Sequence, residues 1–158
     1  MIKENYIFNE KKITIKDLKP SDKHALLRFY KNLSNKSKIS LFEGYRSFHS
    51  WRTKKVGDSV LYTDGMDIDF KNSWSIIAIM KTQKLKEIIG DIRAYRNKID
   101  NSVEISLVVH EDFRGLGLGK LLLDSMIKKL TKLEFNKIYC FIDKENEIMI
   151  HLIEKFAF

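Results

Sequence analysis

Between Val109 and Lys120 the chain carries Arg114-Gly115-Leu116-Gly117-Leu118-Gly119-Lys120, with glycine at three alternate positions. Glycines so placed let the backbone turn sharply and come close to a ligand. A helix that starts at such a turn presents unpaired N–H groups and a partial positive charge. The main chain from Arg114 to Lys120 is therefore a candidate anion site. Two common phosphate patterns do not fit. A Walker loop needs glycine five residues before the Gly119-Lys120 pair and Ser or Thr after it, where this chain has Arg114 and Leu121. A dinucleotide fingerprint needs G-x-G-x-x-G opening a βαβ unit, whereas this turn is Gly115-x-Gly117-x-Gly119.

Other residues could do chemistry. Glu104 interrupts the apolar run Val103 to Val109; a carboxylate in apolar surroundings has a raised pKa and can take a proton at neutral pH, while the plainer reading is a solvated glutamate at a strand end. Asn146 stands before an apolar helical pattern, where capping explains it as well as ligand binding does. Cys140, the single cysteine, has no evident base in sequence and reads as a structural thiol. His24, His49, His110 and His151 show no ligand spacing with one another or with Cys140, so no metal is expected.

These residues need elements to position them. Ile13-Thr14-Ile15 alternates as a short strand, and Pro20-Ser21-Asp22 starts a helix with Leu26, Phe29, Tyr30 and Leu33 at helical spacing. Ser37 to Phe42 could begin a second helix, and Glu43 to Asn72 has no clear period and is expected to be irregular. Ser73 to Met80, Glu87 to Arg96 and Ser102 to Val109 are rich in β-formers and separated by polar turns, which predicts an antiparallel meander. The glycine turn follows, then a helix with Leu122, Met126, Leu130 and Leu133 on one face. Ile138 to Ile142 reads as a strand, and Ile148, Met149, Leu152, Ile153 and Phe156 as a last helix.

With 158 residues the chain fits a single domain, 1–158. Its longest apolar run, Trp74 to Met80, is too short for a bilayer, so no membrane segment is expected. The start, Met1-Ile2-Lys3-Glu4-Asn5, lacks the apolar stretch of a secretory leader, and with the lone cysteine this leads to an expected cytoplasmic location. The formal charge of +8 would draw nucleic acid, acidic protein or a polyanionic cosubstrate. Its lysines are scattered, with no Arg-rich stripe or interleaved aromatics, so a solvated surface is the better reading and nucleic acid is not an expected partner.

The segment Arg114 to Gly119 resembles, position by position, the R-x-x-G-x-G signature of the GNAT superfamily of N-acetyltransferases, placed after an apolar strand and before a helix. Asn146 to Phe158 is similar to that family's asparagine, apolar helix and terminal G-F, here Ala157-Phe158. Leu18-Lys19-Pro20-Ser21-Asp22, Leu33-Ser34-Asn35-Lys36-Ser37, Ile68-Asp69-Phe70, Val103-Glu104-Ile105-Ser106 and Asn146-Glu147-Ile148-Met149 resemble, in order, the acetyltransferase domain of Pat-type protein lysine acetyltransferases.

The resemblance implies an α/β (α+β) fold, a mixed and mostly antiparallel sheet flanked by helices. It implies acetyl transfer from acetyl-CoA to an amine, a protein lysine or alternatively a polyamine or amino acid; a catalytically weak acyl-CoA-binding module is the non-enzymatic alternative. The cosubstrate would be held by Leu107, Val108, Val109, the turn from Arg114 through Gly115, Leu116, Gly117, Leu118 and Gly119 to Lys120, and Asn146, with Leu107 and Val109 giving main-chain N–H groups to the oxyanion. Glu104 would be the general base, needed because an amine of pKa about 10.4 is almost wholly protonated at pH 7. If it is not, Glu111, His110 or a water chain is next. Ile153 stands where many members have a tyrosine acid, a departure shared with Pat-like domains. The family normally adds two strands after the last helix. Their absence before Phe158 would leave an open sheet edge, which a homodimer would cover.

Overall fold

The computed structural model describes residues 1–8, 10–38, 71–82 and 85–156, and the backbone of 53–56 and 59–62. Ile68-Asp69-Phe70, Ala157 and Phe158, singled out above, lie outside these residues, as does 39–42 of the expected second helix; a helical turn at 35–38 is present, with Lys38 N–H donating to the Ser34 carbonyl at 3.0 Å.

Three strands anticipated from β-formers are where they were expected: β5 (Ser73–Lys81), β6 (Lys86–Arg96) and β7 (Ser102–Val109) form an antiparallel meander. The strand expected at Ile13-Thr14-Ile15 is present and longer, and the additions are a strand that pairs with it and a second hairpin. Strand β1 (Lys3–Phe8) pairs with β2 (Lys11–Asp17) across a tight turn in which Glu10 has φ 63°; β1 hides from sequence because it begins Lys3-Glu4-Asn5 and no residue in it is fully buried. The segment Glu43 to Asn72, expected to be irregular, contains the hairpin of β3 (Thr53–Val56) and β4 (Ser59–Tyr62). The main sheet runs β1-β2-β5-β6-β7-β8, antiparallel except for the parallel pair β7·β8. Strand β8 (Lys137–Tyr139) is shorter than the run Ile138 to Ile142 suggested.

A helix lies on each face. On one, Pro20–Asp22 makes a 3₁₀ turn whose Asp22 carboxylate accepts from Lys19 N–H at 2.9 Å, and α1 (Lys23–Asn32) buries Leu26, Phe29 and Tyr30 against Ile77, Ile79, Ile88, Tyr95 and Val108. On the other, α2 (Leu118–Thr131) buries Leu118, Leu122, Leu123, Met126 and Leu130 against Ile76, Ala78, Ile92, Ala94, Val103 and Ile105. Leu133, expected on that helix, lies beyond its end and is 43% exposed. After β8 comes α3 (Glu147–Glu154), and among the described residues no strand follows it.

The β5·β6 register shifts between Ala78 and Ile79, where Ala78 pairs with Gly90 and Ile79 with Ile88, leaving Ile89 as an extra residue. Ile88 faces α1, whereas Ile89 packs on the α2 leucines and a Cβ on Gly90 would meet Leu122 Cδ1 at 2.8 Å. Two successive residues thus turn to α2. The alternation resumes with Asp91 on the α1 face, bonded to the Tyr30 hydroxyl.

Candidate active site

Strands β7 and β8 are paired over three positions, Ser102↔Lys137, Val103↔Ile138 and Glu104↔Tyr139, while β7 continues to Val109. Beyond Glu104 its far edge has no strand partner among the described residues. Which groups line that edge follows from the alternation of an antiparallel ladder. His110 N–H donates to Ile89 O at 2.9 Å and Asn97 N–H to Ser102 O at 2.8 Å, so even-numbered residues of β7 bond to β6. Leu107 and Val109 therefore direct their N–H and C=O groups into the opening. Val108 does the reverse: its main chain lies on the β6 side opposite Asp91, and its side chain is 7% exposed in the α1-face core.

Next to this edge stands the glycine turn. Gly115 and Gly117 have φ 75° and 81°, values that favour glycine. A Cβ added to either would meet no heavy atom within 4 Å, so the turn faces open space. Gly117 caps α2 without any side-chain hydrogen bond, and Leu121 N–H is the first to bond back, to Gly117 O at 3.1 Å. The amides of Leu118, Gly119 and Lys120 have no acceptor within the helix and form a donor set suited to phosphate oxygens. Leu116 is 38% exposed at the rim. A Cβ on Gly119 would make ordinary contacts, 3.4 Å from Leu152, 3.6 Å from Leu107 and 3.9 Å from Val109, which shows that α2, α3 and β7 converge at this residue. The Lys120 ammonium pairs with Asp124 at 2.9 Å and lies 5.4 Å from the Phe156 ring centroid.

Arg114, whose side chain is 43% exposed, bonds to its own chain. Its Nε donates to Val109 O at 3.0 Å and its Nη2 to Ser37 Oγ at 2.7 Å. Glu111 completes the knot by accepting from Ser34 N–H at 3.0 Å and from the Ser37 hydroxyl. Burial alone would raise the Glu111 pKa, but the bonds from Ser34 and Ser37 prevail and hold it at about 2. It is thus a poor base at neutral pH. His110 Nδ1 accepts from Asp112 N–H at 3.3 Å as a cap of the 3₁₀ turn Glu111–Phe113.

Glu104 sits where the two strands part and is 1% exposed. Burial lifts its pKa to about 7 against a smaller lowering effect of the Tyr139 hydroxyl, and its Oε2 has no hydrogen-bond partner among the described residues. A carboxylate with this pKa can both hold and release a proton at neutral pH. Asn146 caps α3, its Oδ1 accepting from Met149 N–H at 3.2 Å, which leaves its amide NH₂ for other partners. The Cys140 thiol is half-buried, and burial and then Glu104 raise its pKa, which disfavours a nucleophilic role.

Sequence reasoning missed a buried polar group on the α1 face. Asp91 accepts from Tyr30, from Ser75 at 2.7 Å and from Arg93 Nε at 2.8 Å, with both charged residues at most 3% exposed. The available signal was Asp91 and Arg93 two apart in an otherwise apolar strand. Tyr139 was missed as well, having no local motif. Among the described residues no group of three or more His, Cys, Asp or Glu could hold a metal ion, and no helix is long and apolar enough to cross a membrane.

A family model described as acetyltransferase (GNAT) family matches residues 40–158. The chain is 32% identical over 147 residues to the uncharacterized N-acetyltransferase ycf52 of Porphyra purpurea, covering 90% of this chain and 78% of that protein. It is 30% identical to its counterpart in Pyropia yezoensis, covering 87% and 75%. In fold it is similar to the GNAT domain of S. lividans PAT, with TM-score 0.74 and 15% identity over 97% of this chain and 85% of that one. It is also similar to the ribosomal-protein-S5-alanine acetyltransferase of Vibrio fischeri, with TM-score 0.66 and 12% identity over 98% and 82%.

Proposed function

The chain belongs to the acetyltransferase (GNAT) family and is an acetyl-CoA-dependent acetyltransferase, and from that premise we propose that it acetylates a primary amine, a protein lysine ε-amine, with Glu104 as the general base. The observation that carries this reading is the Glu104 carboxyl, almost fully buried at the parting of β7 and β8, with a pKa of about 7 and one oxygen without a partner among the described residues.

The chemistry follows from that arrangement. The acceptor arrives as an ammonium and gives its proton to Glu104, directly or through one water. The freed nitrogen lone pair attacks the thioester carbon, a C–N bond forms, the C–S bond breaks, the sulfur leaves with the bonding pair as thiolate, and the second proton of the attacking nitrogen passes to that thiolate or to solvent, leaving a neutral amide. A thiol pKa near about 8.5 makes that thiolate a tolerable leaving group, so Ile153 in place of a tyrosine is no obstacle. The N–H groups of Leu107 and Val109 are the donors for charge that develops on the carbonyl oxygen. The amides of Gly115 to Lys120 would take the pyrophosphate, and Asn146, at the start of α3, would give its free amide NH₂ to another part of the cosubstrate. The ordered likenesses around Pro20, Ser37, Glu104 and Asn146 support lysine as the acceptor. A thiol-release assay with acetyl-CoA against lysine-bearing proteins, polyamines and amino acids tests this. Fastest release with the proteins is expected, and turnover confined to small amines would overturn the choice of acceptor.

A further inference from the structure

The stretch Leu33-Ser34-Asn35-Lys36-Ser37 and the glycine turn are far apart in sequence, yet one side chain joins them: Arg114 Nη2 donates to Ser37 Oγ at 2.7 Å. We propose that Ser37 is a positioning residue for the cosubstrate's phosphates: through Arg114 its hydroxyl sets how the amide row from Gly115 to Lys120 stands against the end of β7. The effect on CoA rests on the reading of that turn as the phosphate site, but the brace itself does not.

The brace needs a hydroxyl at its centre. A guanidinium only donates and a carboxylate only accepts, so a group that links the two must do both. Ser37 does so, giving its hydroxyl hydrogen to Glu111 Oε1 and accepting from Arg114 Nη2. Arg114 Nη2 and Glu111 Oε1 are themselves 3.6 Å apart, beyond hydrogen-bond distance, so Ser37 is their link. It is 7% exposed and is seated by Ser34, whose Oγ accepts from Ser37 N–H at 3.2 Å and whose N–H donates to Glu111 Oε1 at 3.0 Å.

What the brace fixes is the entry to the turn. The Nε of the same guanidinium donates to Val109 O at 3.0 Å, so one planar, rigid group spans from the last residue of β7 to the chain after α1. Arg114 immediately precedes Gly115, and its main-chain N–H donates to Glu111 O at 3.2 Å. Holding its side chain at both ends therefore sets the direction in which the chain enters the glycine turn. With alanine at position 37 the Nη2 arm loses its acceptor, the guanidinium closes on Glu111, and Nε is drawn from Val109 O.

The test compares CoA with pantetheine, which lacks both the pyrophosphate and the nucleotide, by titrating each against the ¹⁵N–¹H spectrum of the protein. No acceptor amine is needed, and the ratio of the two dissociation constants does not depend on the folded fraction. The wild type should prefer CoA. In Ser37→Ala that preference should fall about tenfold, the equivalent of one hydrogen bond to a charged group, with the pantetheine constant unchanged within about twofold. Arg114→Lys keeps the positive charge but has no second arm, and should lose the preference to the same extent. An unchanged ratio in either variant overturns the proposal, including the case in which both ligands weaken alike. A wild type that binds the two ligands equally removes the phosphate site itself, and the proposal with it.

Discussion

At the residue scale, the properties of Glu104 set its catalytic and its energetic behaviour in opposite directions. Replacing it by glutamine keeps its size but removes the proton acceptor, so turnover at pH 7 should fall by about two to four decades while CoA affinity by calorimetry is unchanged. The loss should shrink as pH climbs toward the amine pKa of about 10.4, where neutral acceptor exists without help. Wild-type turnover in this variant would dismiss Glu104 as the base. Stability should respond the other way. The folded pKa of about 7 is above the ordinary 4.5, so the folded protein binds more protons between these values. The stability Glu104 contributes is fully present below pH 4.5 and is lost as pH rises through 7. Glu104→Gln should therefore be the more stable protein at pH 8, by up to about 3 kcal/mol, and indistinguishable at pH 4, as read by urea unfolding.

At the scale of elements, the glycine turn and the start of α3 can be separated by mutation. Gly117→Val places a side chain where the structure has open space, at φ 81°. The protein should still fold, with about 1–2 kcal/mol of strain, and its CoA affinity should fall at least about tenfold because the amides can no longer approach a phosphate closely. Unchanged affinity in a folded variant would remove the phosphate site. Asn146→Ala should cost about 1 kcal/mol through the lost cap; a CoA affinity that also falls more than tenfold would assign Asn146 a ligand contact. Turn, meander and the two longer helices were legible in sequence because their signals are local: glycine spacing, β-formers, apolar residues every three or four positions. What was illegible depends on partners far along the chain. Arg114 binds Ser37 across 77 residues, and Glu104 meets Tyr139 through a parallel register that no short motif encodes. The bulge was hidden too, since Ile88 and Ile89 are both apolar and either could face either helix.

At the scale of the whole molecule, the edge carrying β8 is three residues long, and beyond Glu104 the far side of β7 has no strand partner among the described residues. Phe141 and Ile148 nearby are 59% and 76% exposed. Open edges tend to pair with another chain, and sedimentation should show association that strengthens from micromolar to millimolar protein. A strictly monomeric species would mean that this edge is covered in another way. The extra residue at Ile89 bears on how such a chain can change length. Before it, side-chain parity on β6 puts Ile88 toward α1; after it, Asp91, Arg93 and Tyr95 have that orientation, matched to Val108, Ser106 and Glu104 on β7. Deleting one codon here would satisfy the hydrogen bonds of β5 and β6 more regularly, yet would either turn an aspartate and an arginine into the leucines of α2 or slide β7, and Glu104 with it, out of step with Tyr139. Surface turns can lose or gain residues at little cost, but this strand must retain its irregular count.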